Sequence, residues 1–218
     1  MKSSLTLIPF DLLIKFEPQG AWLSHVSEIH GIDHLARVFI LQELICGLLE
    51  QQGKTVNREA VRWAAMAHDV GRLEDGLDLE HGKRSAQWIK ENLHEHMTPE
   101  LLDMVTYTVH WHVPNDDEAP VMTTELAVLK DADGLDRVRL GDFDASFLRT
   151  TAALELVDTA KRLYEESFVH EGENGSFQNS LKCRNQHGAG RRPGIVSECT
   201  LLFSNHNVTT VEIYGILN

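Results

Sequence analysis

Cysteine is scarce, with three in 218 residues. Cys46, Cys183 and Cys199 supply no disulfide framework, and Cys46 falls in an apolar periodic run where a thiol packs as a small hydrophobe. Long apolar runs are missing too: no uncharged stretch reaches the roughly 20 residues needed to span a bilayer. Met1 to Pro9 run into Asp11 without a small-residue cleavage signal, so the expectation is no membrane segment, no secretory leader and a cytoplasmic, reducing location. Basic residues are the third shortage, 20 Lys and Arg against 33 Asp and Glu, for a formal charge of -13. Repulsion from a phosphate backbone argues against long nucleic acid as a partner. A small phosphorylated ligand stays open, because a bound cation can invert the local sign of the field. No internal repeat interrupts the chain.

What is present is helix after helix. Phe39, Ile40, Leu41, Leu44, Ile45, Leu48 and Leu49 form a broad stripe at helical period that Gly53 ends. Asn57 reads as the cap of a second helix carrying Val61, Ala64, Ala65 and His68 toward Gly71. His81 to Leu93 predicts a third. Thr98-Pro99 opens a fourth, with proline where its missing donor costs nothing, and that helix stops before Pro114. Thr124 to Arg139 predicts a fifth, and Phe147 to Phe168 a sixth, continuous one. The length suits one sizeable core, so the reading is an all-α domain over residues 1–172 followed by a linker and tail over 173–218. The tail differs in charge: residues 1–173 hold 16 basic against 31 acidic residues, and 174–218 hold four against two. Only Ile195 to Phe203 and Val208 to Ile216 have strand character, so the tail reads either as a small β-hairpin against the helices or as disordered.

Twelve histidines invite a metal hypothesis, and position matters more than number. His68 and Asp69 close an apolar helix directly before Val70-Gly71-Arg72. Neighbouring side chains diverge within a helix, so the two converge on one ion only where the backbone leaves it, and Gly71 makes that departure cheap. On its own such a pair is a polar helix terminus. His34 stands in His30-Gly31-Ile32-Asp33-His34-Leu35-Ala36-Arg37-Val38 and Asp133 in Leu129-Lys130-Asp131-Ala132-Asp133-Gly134-Leu135-Asp136. A carboxylate beside such an apolar stripe is expensive to bury unless it is paired or bound to a cation. A mixed N/O set suits Mn²⁺, Fe²⁺, Co²⁺, Ni²⁺ or Zn²⁺, with Mg²⁺ a further option, better than an all-oxygen Ca²⁺ cage. Arg72 and Lys83 are candidates for placing fixed positive charge near a phosphate. Asp131 and Asp136 read as supporting or surface groups, and Arg37 as the partner of a buried carboxylate, with a phosphate contact as its second reading.

These stretches together resemble the HD-domain superfamily of metal-dependent phosphohydrolases, named for its His...His-Asp...Asp pattern. His34 matches the first histidine, His68-Asp69 the central pair and Asp133 the distal aspartate, and the resemblance extends over roughly residues 25 to 168. It implies an all-helical bundle with a divalent ion at its centre held by those four residues. Family members with two-metal sites use additional histidines, to which His81 and His112 are similar, with His110 competing for the latter place. In a one-metal enzyme these would line the phosphate pocket instead.

The implied reaction is hydrolysis of a phosphate ester, with nucleotides the leading substrates. Asp69 or Asp133 would orient the water, Arg72, Lys83 and His81 would offset charge on the phosphoryl oxygens, and His112 or His110 would protonate the leaving group. Two rivals are a di-iron oxygenase on the same scaffold and a non-catalytic nucleotide-sensing or interaction module. The sequence leaves open whether the chain forms an oligomer.

Overall fold

The computed structural model describes residues 5–9, 15–27, 29–167, 198–204 and 207–213. The boundary expected near residue 172 and the linker expected after it lie outside them.

In chain order the elements are β1 (Leu5–Pro9), α1 (Ile32–Gln51), α2 (Arg58–Ala67), α3 (His81–Asn92), α4 (Pro99–Trp111), α5 (Thr124–Asp136), α6 (Thr151–Leu154), α7 (Val157–Ser167), β2 (Glu198–Ser204) and β3 (Asn207–Ile213). Short 3-10 turns join several of them. The central helix is α1, with most of its length buried and neighbours in α2, α5, α6 and α7. Helices α3 and α4 pack against each other and reach the centre through α2. The core runs from Phe39, Leu41 and Ile45 through Ala64, Ala65 and Met66 to Val109, Leu129 and Leu135. Phe16 closes one end against Trp63, ring centroids 4.9 Å apart. No helix among the described residues is long and apolar enough to cross a membrane.

Local chemistry explains where helices start. The Asn57 side chain accepts from Ala60 N at 3.1 Å, Thr98 from Leu101 N at 3.3 Å and Thr123 from Leu126 N at 3.1 Å, each filling one of the donor vacancies of a first turn. Gly53, at φ +76°, makes the left-handed exit behind α1.

The sixth helix is a correction: residues 147–167 do not form one rod. The buried Asp131 carboxylate accepts from Arg149 N (2.8 Å), Thr150 N (2.8 Å) and Thr150 Oγ1 (2.7 Å). Those bonds hold the chain at Thr150 extended, so a 3-10 turn over Ala145–Phe147 is followed by α6 and then α7. Of the two readings left open for the tail, residues 198–204 and 207–213 show the hairpin, as β2 and β3, and β1, to which the sequence assigns no structure, adds antiparallel to β2 with Leu5 opposite Leu202.

Candidate metal centre

His34 lies in the first turn of α1 with its imidazole fully enclosed. A carboxylate can only accept, so the 2.7 Å contact between His34 Nδ1 and Asp136 Oδ2 requires the proton on Nδ1 and turns Nε2 inward. Three other histidines are set the same way by backbone carbonyls. His68 Nδ1 donates to Ala65 O at 2.9 Å, His81 Nδ1 to Asp78 O at 2.5 Å and His112 Nδ1 to Val109 O at 2.6 Å. In each neutral ring Nε2 is then a bare lone pair.

Those lone pairs meet. His34 Nε2 lies 3.1 Å from His68 Nε2, and His81 Nε2 lies 3.0 Å from His112 Nε2. Asp69 stands between the pairs and serves both. Its Oδ2 is 3.5 Å from His34 Nε2 and 3.8 Å from His68 Nε2. Its Oδ1 is 3.1 Å from His81 Nε2 and 4.0 Å from His112 Nε2. Asp133 Oδ1 approaches His34 Nε2 at 3.4 Å, and the overlapping sets His34/His68/Asp133 and His68/Asp69/His112 each have ligand atoms within 4.8 Å of one another. Two neutral imidazoles with facing lone pairs repel unless a proton or a metal ion lies between them. Burial pushes His68 below its ordinary value, and burial together with His81 and His68 holds His112 down to about 3, so each pair has one ring on which a proton is resisted. The donor chemistry therefore fits divalent cations, with Asp69 able to face one on each side.

The carboxylates are matched to that role. Burial favours the neutral acid of Asp69, yet the imidazoles of His68, His30, His34 and His81 around it hold it well below the usual range. Asp136 is kept ionised against burial by His34 and Arg37. His34 itself is raised: burial and Arg139 oppose its charge, and the neighbouring carboxylates of Asp136 and Asp69 outweigh them. Asp133 is the least buried member of the cluster, its side chain 34% accessible while that of His34 is closed.

Of the residues expected near the reaction, His34, His68, Asp69, Asp133, His81 and His112 come together. Lys83 and His110 do not join them. Lys83 pairs at 3.7 Å with Glu80 and, with His110, lines a depression of about 550 Å³ beside Arg84, Gln87 and Lys90. His110 and His112 are two residues apart and point to different sides of the helix end, and His112 takes the inner side. Arg72 Nε donates to Asp69 Oδ2 at 3.3 Å, while its Nη1 donates to Gly76 O at 3.1 Å and Glu74 O at 3.4 Å, so it braces the following loop. Gly71 owes its place to close packing: a Cβ there would lie 2.6 Å from Ser85 N and 2.9 Å from Arg84 C.

Two participants go unread in the sequence. His30 Nδ1 lies 3.1 Å from Asp69 Oδ2, and Arg139 bridges His30 Nδ1 (3.3 Å), Ile29 O (3.2 Å) and Asp136 Oδ2 (3.1 Å). The role of Asp136 does leave a trace: Arg37 follows His34 by three residues and Asp136 follows Asp133 by three, so the two supporting side chains face each other as the ligands do.

Comparison with known proteins agrees with this architecture. No curated protein and no solved structure shows significant similarity to the chain. The HD domain family model matches residues 31–138, about half of the chain and the stretch from the cap of α1 to just past Asp136. Since that match takes in the whole of the imidazole and carboxylate cluster apart from His30 and Arg139, the chain belongs to the HD-domain superfamily, whose members are typically metal-dependent phosphohydrolases.

Proposed function

We propose that the protein hydrolyses a phosphate ester of a small metabolite, nucleotides leading, at a divalent metal centre held by His34, His68, Asp69 and Asp133, with His81 and His112 holding a second ion through Asp69. The single observation that carries the reading is the pair of facing Nε2 contacts, 3.1 and 3.0 Å, on either side of one carboxylate. An ion bound there lowers the pKa of water and polarises a phosphoryl oxygen.

The remaining roles belong to the chain's own groups. Asp136 and the three backbone carbonyls fix the tautomer and direction of four imidazoles before substrate arrives, which lowers the reorganisation needed at the moment of reaction. Asp133, open to solvent, marks where water and substrate reach the cluster. Arg72 and Arg139 flank it as fixed positive charge, both held by hydrogen bonds already, so they act on phosphoryl oxygens through their field. In this reading Lys83 and His110 contact neither ion nor phosphate.

The test is phosphate release from a panel of phosphate esters by protein stripped and reloaded separately with Mn²⁺, Co²⁺, Ni²⁺, Mg²⁺ or Zn²⁺. Asp69→Asn is expected to reduce it to background, and release at full rate in that variant overturns the proposal. Iron content together with oxygen-dependent turnover would instead favour an oxygenase.

A further inference from the structure

A cleft of about 390 Å³ lies between the loop that follows α4 and the turn before α6, lined by His112, Asn115, Lys130, Ser146, Phe147 and Arg149 among others. It contains a residue of the metal cluster, which the depression beside Lys83 does not. Its floor residue Lys130 precedes Asp133 and Gly134 by three and four positions on α5, so all three share a helix face. Leu148, in the wall, sits over Gly134, 3.7 Å from where a Cβ would be. The cleft therefore adjoins the side on which Asp133 is open to solvent.

Its charge decides what it can take. Lys130, with a side chain only 3% exposed, donates to Asp116 at 2.8 Å and to Pro114 O at 2.5 Å. Arg149 donates to the same Asp116 oxygen at 2.8 and 3.0 Å and lies 3.5 Å from Asp131. Both cations of the lining are thus already engaged by carboxylates, Asp116 in the cleft and Asp131 buried behind it, so the floor suits an uncharged group better than a phosphate. At the lip stands Phe147, 72% exposed. Its turn is fixed: Arg149 Nη1 donates to Phe147 O at 2.8 Å, and Asp144 accepts from Ser146 N at 2.8 Å. A lone exposed aromatic is ordinary. One pinned on a hydrogen-bonded turn at the mouth of a cleft beside the metal cluster is placed to stack.

We propose that this cleft receives a planar heteroaromatic part of the substrate and that Phe147 is the residue that selects for it, an inference that rests on the phosphohydrolase reading above. Asn115 and Ser146 supply the polar edge against which such a ring is oriented.

The experiment compares the Mn²⁺-loaded full chain with Phe147→Ala and Phe147→Trp, using adenosine 5′-monophosphate and ribose 5-phosphate as substrates. Stacking on an aromatic side chain predicts that Phe147→Ala raises KM for the nucleotide about tenfold, leaves kcat within about twofold and does not move KM for ribose 5-phosphate, while Phe147→Trp keeps the nucleotide KM. Nucleotide and sugar phosphate changing together, or neither changing, overturns the cleft assignment and leaves the metal centre standing. If no ion supports phosphate release, the hydrolase reading has failed, and equilibrium binding of adenosine still decides the cleft: it weakens about tenfold in Phe147→Ala if the inference holds and is unaltered if it does not.

Discussion

Asp136 takes donors from His34, Arg37 and Arg139 on two buried oxygens. Replacing it by Asn keeps the shape and removes the charge that two buried guanidinium groups face. Breaking such a buried pair from one side costs about 3–5 kcal/mol, and loosening the group behind a metal-binding imidazole costs about 10–100-fold in affinity. Asp136→Asn is accordingly expected to lower urea-unfolding stability by about 3 kcal/mol and to weaken metal binding at least about tenfold in a competition titration. Unchanged values for both would show that Asp136 neither orients His34 nor balances the arginines.

His112 gives the pH dependence its sign. It takes a proton near 6.5 when unfolded and only near 3 in the folded, metal-free chain. Between those values the unfolded state binds more protons, so stability falls as pH falls from about 6.5 toward 3 and is flat above. His34 is raised and acts in the opposite sense, adding stability below 6.5 that is lost as pH rises through its folded value. Comparing His112→Gln with the parent isolates the first effect. The variant is expected to lose part of the acid slope in metal-free denaturation curves, and equal slopes would mean that His112 titrates normally when folded.

At the scale of elements, helix approach decides whether the two imidazole pairs exist. A Cβ on Gly82 would lie 2.8 Å from Val109 O and 3.0 Å from His110 O, so α3 touches the end of α4 at backbone distance, one residue after His81 and just before His112. Gly134, also inside a helix, would meet only Leu148 at 3.7 Å, ordinary contact. Gly134→Ala should therefore gain up to about 1 kcal/mol from helix propensity. Gly82→Ala gains the same propensity and must move a helix to fit, so a net loss of at least about 1–3 kcal/mol is expected, with fewer ions bound per chain by elemental analysis. A more stable Gly82→Ala would place α3 and α4 further apart than described. The starts of α2 and α4 were readable because Asn57 and Thr98 act within three residues of themselves. The break at Thr150 was not, since its cause, Asp131, is 19 residues away and looks in sequence like one more polar helical position.

For the molecule as a whole, the same distinction between near and far explains which parts of the site were legible. His34, His68-Asp69 and Asp133 stand in short local wordings that keep their meaning when read alone. His30 and Arg139 acquire theirs only when residues 109 apart meet, and Lys83 and His110 lose theirs only once helix direction is known. The cluster draws on α1, the turn after α2, α3, the end of α4 and α5, so two ions sharing Asp69 would tie five parts of the bundle that otherwise bring repelling lone pairs together. Binding to the folded state alone adds about 2.7 kcal/mol when free metal is a hundredfold above Kd. For a chain of this size each kcal/mol moves Tm by about 2–4 °C, so saturating Mn²⁺ should raise Tm by about 5–10 °C and excess chelator should reverse the rise. Asp69 faces both imidazole pairs, so Asp69→Asn should abolish most of that shift, whereas His81→Ala should reduce it and lower the bound metal per chain. A Tm indifferent to metal and chelator in the unmodified protein would mean that the facing imidazoles are relieved by protons, and the metal centre would have to be abandoned.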